Sequence, residues 1–342
     1  MMLGSQSIAS FAEMRRIVST FPGPDLQAAE ETAAREGQLT KPAGALGRLE
    51  DLSAWLATWQ GKAPPAINHP RVAVFAGNHG VAALGVSAFP ADVTRQMVLN
   101  FTHGGAAVNQ LCKNADADLR VYEMSLDQPT KDFTKEPALS EVETARAMAY
   151  GMMSVEPGID LLCVGEMGIA NTTAASAIAA ALFGGTGTDW AGPGTGVHGA
   201  QLARKAEVID LGLSQHRGVF DDPFAVLAAL GGHELAAIAG AVIAARMARV
   251  PVILDGFAST VAASVLLKLD PNALDHCVVA HCSAEPGHRR VLEKIAKKPL
   301  LDFSMRLGEA SGAALCIPIL RAAALCHSGM ATFAEAGVSD KE

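Results

Sequence analysis

Five short apolar runs constrain the fold of this chain more than any other feature. They are "RVAVFAG" at 71–77, "LRVYEMS" at 119–125, "DLLCVGEMG" at 160–168, "VPVILDG" at 250–256 and "CVVAHCS" at 277–283. Helix-length segments lie between them, at 142–153, 172–184, 233–249 and 257–268. Apolar strands that alternate with helices are typical of a parallel sheet covered on both faces. We therefore predict an α/β fold with a mostly parallel sheet flanked by helices, and ligand binding at the carboxyl ends of its strands.

The two ends of the chain differ from this pattern. The first 60 or so residues contain "SFAEMRRIVSTF", "DLQAAEETAAREGQL" and "RLEDLSAWLATWQG", which are helical patterns with no strand between them. The stretch from about 309 to 334 is also helical in pattern. We predict that residues 1–65 and 309–342 pack together as a small helical domain, and that residues 66–308 form a large α/β domain with the active-site loops.

Composition excludes several classes of function. The chain has 342 residues, 50% apolar and 18% charged, with a net charge of −8. This acidic balance argues against nucleic acid as a partner, because binding to phosphates needs a basic surface.

The start has no basic leader before an apolar block, and the apolar run 235–245 is too short for a membrane span. The six cysteines are scattered, without a CxxC pair. We expect a cytoplasmic protein with free thiols and no membrane span.

The segment "HCVVAHCSAEPGH" at 276–288 invites a metal-site interpretation. It holds His276, Cys277, His281, Cys282 and His288. Their spacing fits no zinc-binding template, and alternate residues of a strand face opposite sides. We expect no metal and no cofactor.

The turn "GEMGIANTT" is the most informative of the glycine-containing turns. Gly165 and Gly168 let the chain bend after a strand, and Asn171 and Thr172 open a helix. The free amide groups and the dipole of a helix start attract anions such as phosphate. Ordinary capping of the helix by Asn or Thr is the alternative.

A second glycine-rich loop, "AGPGTGVHGAQLARK", ends in Lys205. Its glycines Gly192, Gly194 and Gly196 would expose backbone amides to an oxyanion. The pattern matches neither the dinucleotide fingerprint nor the Walker loop. A phosphate cradle and a plain loop both stay open, as do a ligand contact and a surface position for Lys205.

The stretch 77–111 combines glycine turns with Ser87, Phe89, Gln96 and Met97. Aromatic and methionine side chains with a few polar groups suit a flat aromatic ligand. The alternative is a helix whose apolar face packs into the core.

One carboxylate, Glu309, precedes eleven uncharged residues in "RLGEASGAALCIPIL". It is either an acid at a helix start that faces water or a catalytic base in a pocket. His79 has a similar pair of interpretations, as a general base or as a structural histidine held by a hydrogen bond.

Taken together, these stretches resemble one enzyme family. In order, they are "KPAGALGRLE", "GNHGV…GVSAFPADVTRQMV…NFTHGGAAVN", "GEMGIANTTAASAI", "GPGTGV", "LGGHELAAIAG", "PVILDGFAS", "EPGH" and "RLGEASGAA". The chain is similar over about 35–338 to the nicotinate-nucleotide:dimethylbenzimidazole phosphoribosyltransferases of cobalamin lower-ligand synthesis. The resemblance implies a Rossmann-like sheet with a smaller helical domain formed from both chain ends.

The resemblance also implies the reaction. Members move 5-phosphoribose from nicotinate mononucleotide to 5,6-dimethylbenzimidazole, which gives α-ribazole 5′-phosphate and nicotinate. They are homodimers and need no metal. A phosphoribosyltransferase of the same fold with another azole or a phenolic acceptor is one alternative, and a non-catalytic nucleotide- or azole-binding protein is another.

Residue by residue, the resemblance makes Glu309 the general base and places Glu166 in the active site. It also suggests binding residues for each part of the two substrates. These are Gly168, Asn171, Thr172, Gly194, Thr195, Gly196 and Lys205 for phosphate and ribose, Ser87, Phe89, Gln96 and Met97 for benzimidazole, and Met167, Leu307 and Gly308 for nicotinate.

The chemistry explains why few residues suffice. Nicotinate leaves as a neutral ring nitrogen, so no general acid is needed, and one carboxylate can take the proton of the attacking azole. Attack from the face opposite the leaving group inverts the anomeric carbon. For Glu309, apolar neighbours would raise the pKa and a helix start would lower it.

The sequence departs from the family pattern in three places. Asn78 stands where the pattern has Asp, Pro193 where it has Arg, and His198-Gly199 where it has acidic residues. These departures concern the choice of azole and the contacts to ribose.

Overall fold

A five-stranded parallel sheet forms the centre of the molecule in the computed structural model, which describes residues 10–339. Its strands are β1 (Pro70–Ala76), β2 (Asp118–Glu123), β3 (Leu161–Met167), β4 (Val252–Leu254) and β5 (Cys277–Val279). Their order across the sheet is β2-β1-β3-β4-β5, and every neighbouring pair is parallel. The predicted α/β fold is confirmed, and each strand falls on one of the five apolar runs, with β1 and β2 beginning one residue earlier than the run.

Helices connect and cover these strands. They are α1 (Phe11–Val18), α2 (Leu26–Glu36), α3 (Arg48–Gln60), α4 (Val93–Thr102), α5 (Ala107–Ala115), α6 (Glu141–Met152), α7 (Asn171–Phe183), α8 (Gly187–Trp190), α9 (Gly199–His216), α10 (Pro223–Leu230), α11 (His233–Met247), α12 (Phe257–Ser264), α13 (Pro286–Lys294), α14 (Ser311–Gly329) and α15 (Phe333–Ala336). Short 3-10 turns lie at Gly80–Leu84, Arg217–Val219 and Val265–Lys268.

The two faces of the sheet carry two separate apolar cores. Side chains alternate between the faces along each strand, so Ala73 and Phe75 of β1 pack against the core that contains α7, α10, α11 and α12. Val72 and Val74 face the other core, which α3, α5 and α14 complete. Burial on both faces explains why β1, β3, β4 and β5 are mostly apolar. The edge strand β2 is only partly buried and carries the charged residues Asp118, Arg120 and Glu123.

Only part of the N-terminal helical segment packs with the C-terminal helix α14. Helices α2, α3 and α14 lie together, and the Arg35 guanidinium of α2 donates a 3.0 Å hydrogen bond to the carbonyl of His327 in α14. Helix α1 instead lies against α10, where Arg15 is 2.6 Å from Asp222. Helix α14 packs both on α3 and on the sheet, so it belongs to both predicted domains at once. The division into two domains therefore stays a prediction.

Within residues 10–339, α14 is the one helix that is long and apolar enough to cross a membrane. The core helix of a globular protein can have the same length and composition. Half of its apolar stretch is buried inside the protein, where α14 packs on α3, α5 and the sheet.

Candidate active site

A cavity of about 240 Å³ opens at the carboxyl ends of the strands. The loops after β1, β3, β4 and β5 form its walls, together with loop 192–197 and the segment that leads into α14. In open parallel sheets this edge is where ligands bind. The lining residues are Val86, Ser87, Phe89, Glu166, Met167, Gly168, Ile169, Ala170, Asn171, Thr172, Gly194, Thr195, Gly256, Phe257, Ala258, His281, Ser283, Glu285, Arg306, Leu307 and Gly308.

A larger cavity of about 620 Å³ lies between α2, α3 and the loop that joins them. Its central charge, the Lys41 ammonium, is already paired with Glu36 at 2.8 Å and with Glu50 at 2.7 Å. This pairing leaves little free charge for chemistry, so the smaller cavity at the sheet edge is the better candidate.

Glu309 does not itself line this smaller cavity, but it directly follows the lining residue Gly308 in the chain. The residue is only 4% exposed, and its Oε2 atom is buried without a hydrogen-bond partner. Burial raises the pKa of the Glu309 carboxyl to about 7. The apolar surroundings therefore outweigh the start of α14, which answers the question that the sequence left open.

Asp255, and not Glu309, caps the start of α14. The Asp255 Oδ1 atom, just after β4, accepts a 2.9 Å hydrogen bond from the amide of Ala313 in the first turn of α14. Asp255 thus satisfies the helix start, in the way that N-capping carboxylates do. Glu309 takes no part in this cap, so its carboxyl stays available for other chemistry.

A tight turn fixes the Glu309 backbone. Gly308, Glu309 and Ala310 have φ values of 80°, 62° and 59°. Residues other than glycine rarely adopt this left-handed backbone conformation. The Glu309 amide donates a 3.0 Å hydrogen bond to the carbonyl of Glu166 in β3. A Cβ atom at Gly165 would lie 2.1 Å from the Ala310 nitrogen, so glycine at 165 is what lets this turn approach the sheet.

Three carboxyl groups meet at this edge. The Glu166 carboxylate accepts a hydrogen bond from the Asn171 side-chain amide. Burial, and then the charge of Asp255, raises the pKa of Glu166 well above its ordinary value. Burial also raises the pKa of Asp255 to about 7. A positive charge in the cavity would stabilise the ionised form of each of these groups, Glu309 included.

The start of α7 lies beside a buried cation. Lys205 is 1% exposed, and its ammonium donates to Thr172 Oγ1 at 2.8 Å and to the carbonyl of Gly192 at 2.9 Å. Burial lowers the pKa of Lys205 to about 8. A helix N-terminus and an ammonium side by side favour an anion.

Loop 192–197 is held by its own hydrogen bonds. The Gly194 amide donates to Glu285 Oε1 at 2.7 Å, and the Gly196 amide donates to the carbonyl of Pro193 at 2.8 Å. The Arg306 guanidinium donates to the carbonyl of Gly194 at 2.8 Å. Two of the amides that a phosphate cradle would use are therefore already occupied.

The predicted benzimidazole residues separate into two groups. Ser87 and Phe89 line the cavity. Gln96 does not line it, since its side chain donates a 2.9 Å hydrogen bond to Asp92 on the exposed side of α4. Met97 is half-buried and packs against the apolar core. Gln96 and Met97 therefore lie outside the cavity wall.

The predicted nicotinate residues all lie in the cavity wall, where Leu307 is 56% exposed and adjoins Met167 and Gly308. Of the predicted phosphate and ribose residues, Gly196 and Lys205 are outside the lining, although Lys205 reaches Thr172.

Sequence reasoning missed several residues of this wall. His281, Ser283 and Glu285 follow β5, and Arg306 precedes the Glu309 turn. The available signal for His281, Ser283 and Glu285 was that these polar residues stand at the end of the last apolar run, 277–283, or just after it, at the edge where the other loops meet. Asp255 follows β4 in the same way. Arg306 had no such signal, since it lies more than 20 residues further along the chain.

Two histidines that the sequence singled out, His79 and His276, lie in buried, structural positions. His79 is fully buried, and its Nε2 atom lies 2.6 Å from Glu234 Oε1, which is the geometry of the structural alternative. Burial lowers the pKa of His276 to about 3. Between residues 10 and 339, the His, Cys, Asp and Glu side chains form no group of three or more that could hold a metal ion.

Comparison with known proteins identifies the family. A profile described as phosphoribosyltransferase matches residues 21–338. The Brucella anthropi protein named nicotinate-nucleotide–dimethylbenzimidazole phosphoribosyltransferase is 56% identical over 335 residues, which cover 98% of this chain and 99% of the relative. The Rhizobium meliloti protein of the same name is 55% identical over 338 residues, with 99% and 100% covered.

Two solved structures from Thermus thermophilus have the same fold. One, described as a nicotinate-nucleotide-dimethylbenzimidazole phosphoribosyltransferase, has a TM-score of 0.85 and 40% identity over 92% of this chain and 99% of its own. The other, described as CobT, has a TM-score of 0.87 and 41% identity over 92% of this chain and 100% of its own. The profile match, the full-length identity and the shared fold agree: this chain belongs to the nicotinate-nucleotide–dimethylbenzimidazole phosphoribosyltransferase family.

Proposed function

We propose that this protein transfers 5-phosphoribose from nicotinate mononucleotide to 5,6-dimethylbenzimidazole, with release of nicotinate. The product is α-ribazole 5′-phosphate, formed with inversion at the anomeric carbon. The observation that carries the proposal is the state of Glu309, which follows the cavity-lining Gly308. Its carboxyl is buried, has an unpaired oxygen and has a pKa of about 7. A base with such a pKa can accept a proton at neutral pH and release it again.

In this proposal the nucleotide lies along the β3 side of the cavity. Its phosphate binds at the start of α7, where Thr172 and the Lys205 ammonium supply donors. Its nicotinate ring lies against Met167 and Leu307, beside Gly308. The ribose then lies near Glu166, between these two ends.

The acceptor binds on the side of Ser87 and Phe89. An unprotonated azole nitrogen attacks the anomeric carbon, and the bond to the pyridinium nitrogen breaks with its electron pair, which leaves neutral nicotinate nitrogen. The new bond acidifies the N–H at the other azole nitrogen. Glu309 accepts that proton, so no positive charge remains on the product base.

Glu166 and Asp255 contribute through charge. The ribose gains cationic character as the bond to nicotinate breaks, and carboxylates nearby would stabilise it. Burial favours the neutral form of both carboxyls, whereas the bound pyridinium favours the ionised form. Binding of the nucleotide would therefore ionise the groups that the transition state needs, and holding both reactants in place supplies much of the rate.

We also propose that the protein works as a homodimer in the cytoplasm, without a cofactor. Support for the cytoplasm comes from six cysteines that are all free thiols. Support for a dimer comes from large apolar side chains at the surface, among them Phe303 at 64% exposed. Light scattering of the purified protein would measure its mass in solution.

The direct test is a product assay. Purified protein is incubated with nicotinate mononucleotide and dimethylbenzimidazole without added metal, beside Glu309→Ala, and chromatography follows nicotinate and α-ribazole phosphate. Product from the wild type with a loss of at least about a hundredfold in the variant is the expected result. Equal activity of the variant would refute the base assignment, and absence of product from the wild type would refute the proposed reaction. A second azole and a phenol as acceptors measure acceptor range.

A further inference from the structure

The acceptor loop, residues 85–89, supplies Ser87 and Phe89 to the cavity. Val86 anchors it in the core at 2% exposed, whereas Phe89 is 53% exposed. Its own bonds are short-range, from the Phe89 amide to Ser87 Oγ at 3.3 Å and from the Gly85 amide to the carbonyl of Ala82 at 3.3 Å. Contacts from other segments must therefore determine where the loop lies over the cavity.

Helix α9 provides the first of these contacts. Gln201, in its first turn, donates from its side-chain nitrogen to the carbonyl of Gly85 at 3.0 Å and to the carbonyl of Ser87 at 3.0 Å. A side-chain amide has two N–H donors, and both are used here. The chain between residues 85 and 87 thus curves around one amide group.

Loop 192–197 provides the second contact. Thr195 Oγ1 lies 2.9 Å from Ser87 Oγ and accepts a 3.1 Å hydrogen bond from the Ala88 amide. Thr195 is exposed, and it leads directly into α9. Both contacts therefore reach the acceptor loop from the same side, the segment 194–201.

We propose that Gln201 is a positioning residue, which holds the acceptor loop against α9 and thereby sets the shape of the acceptor side of the cavity. The proposal rests on the proposed function, in which this side binds the azole. Gln201 acts through the carbonyls of Gly85 and Ser87 and does not line the cavity itself. Its loss should weaken acceptor binding and leave nucleotide binding nearly unchanged.

The test uses the full chain and three variants. Gln201→Ala removes the amide, and Gln201→Glu keeps the size but turns a carboxylate oxygen toward the two carbonyls. Gln215→Ala is the matched control, because Gln215 lies on the same helix and donates a 3.0 Å hydrogen bond to the carbonyl of Lys135. The two glutamines are about 21 Å apart along α9, at 1.5 Å per residue.

Two kinds of measurement are made. Equilibrium titrations give the Kd for dimethylbenzimidazole and for nicotinate mononucleotide, and hydrogen exchange reports the amides of residues 85–89. For Gln201→Ala we expect a roughly tenfold weaker Kd for dimethylbenzimidazole, a change below about twofold for the nucleotide, and faster exchange in the acceptor loop. Gln201→Glu should show at least the same effects, and Gln215→Ala none of them.

Several outcomes would overturn the inference. Unchanged exchange in Gln201→Ala means that the loop is held by other contacts, and wild-type behaviour of Gln201→Glu means that donation by the amide is unimportant. Equal effects of Gln215→Ala indicate general destabilisation of α9. If the wild type binds the nucleotide but no azole, the proposed acceptor is wrong, while the exchange data still test whether Gln201 holds the loop.

Discussion

Replacing Glu309 with glutamine should stabilise the protein at alkaline pH while removing its activity. The carboxyl has a pKa of about 7 in the folded protein, against an ordinary value of 4.5. The folded state therefore binds more protons than the unfolded state between these two values. This contribution to stability is present below pH 4.5 and is lost as pH rises through about 7.

The size of the effect follows from the same two values. Their difference is about 2.5 pH units, and each unit corresponds to about 1.4 kcal/mol, so ionised Glu309 costs about 3 kcal/mol of folding free energy above pH 7. The neutral amide introduced by Glu309→Gln has no such cost at any pH. Because the charge of Glu309 also raises the pKa of Asp255, its removal eases the ionisation of Asp255 and acts in the same direction.

Urea unfolding curves at pH 5 and pH 8 measure this difference. The quantity of interest is the free energy of unfolding of Glu309→Gln minus that of the wild type, which should grow by about 2.5 kcal/mol between the two pH values, since part of the effect is already present at pH 5. The exposed Glu293 in α13 gives the matched control, as Glu293→Gln, for which no such growth is expected. A difference of equal size at pH 5 and pH 8 would refute the reasoning, because it would mean that Glu309 ionises as easily in the folded state as in the unfolded chain.

Three further predictions concern the same site. In the wild type, kcat/KM should fall at least about tenfold per pH unit below about pH 7 as Glu309 and Asp255 take up protons, which a pH–rate profile will measure. The Kd for nicotinate mononucleotide should weaken as pH rises through about 8, where Lys205 loses its charge, and calorimetry should find this dependence absent in Lys205→Met. Gly165→Ala should cost at least about 2 kcal/mol of stability and lower kcat, since its Cβ atom would meet the Ala310 nitrogen at 2.1 Å. Gly218→Ala, where nothing lies within 4 Å, is its control in unfolding and rate assays.

The sheet could be predicted because its signal is local. Each strand coincides closely with a short apolar run bounded by turn residues, so the pattern needs no knowledge of distant residues. The signal is clearest for β1, β3 and β4, which are buried on both faces. Glu166 near the end of β3 and Asn171 just after this strand could be assigned to the sheet edge for the same reason. They do line the cavity.

Other features depend on contacts between distant residues. Asp255 caps a helix that begins more than 50 residues later along the chain, and no local pattern indicates that pairing. Gln96 and Met97 lie on α4, whose sequence predicts a helix but leaves open which face turns toward the cavity. The pKa of Glu309 depended on how closely the 308–310 turn approaches β3.

That approach also explains how a buried carboxyl is kept in place. An ionised Glu309 would gain free energy by turning toward water, since burial without a partner costs it about 3 kcal/mol above pH 7. Two features oppose that movement: the left-handed turn from Gly308 to Ala310, and the hydrogen bond from the Glu309 amide to the Glu166 carbonyl. Gly165 permits both, because a side chain there would collide with the turn. The strain of two left-handed residues other than glycine, of order 1–3 kcal/mol each, is thus maintained by the packing of α14 on the sheet. A base with a pKa near 7 exists here because the fold holds it where it would not otherwise stay.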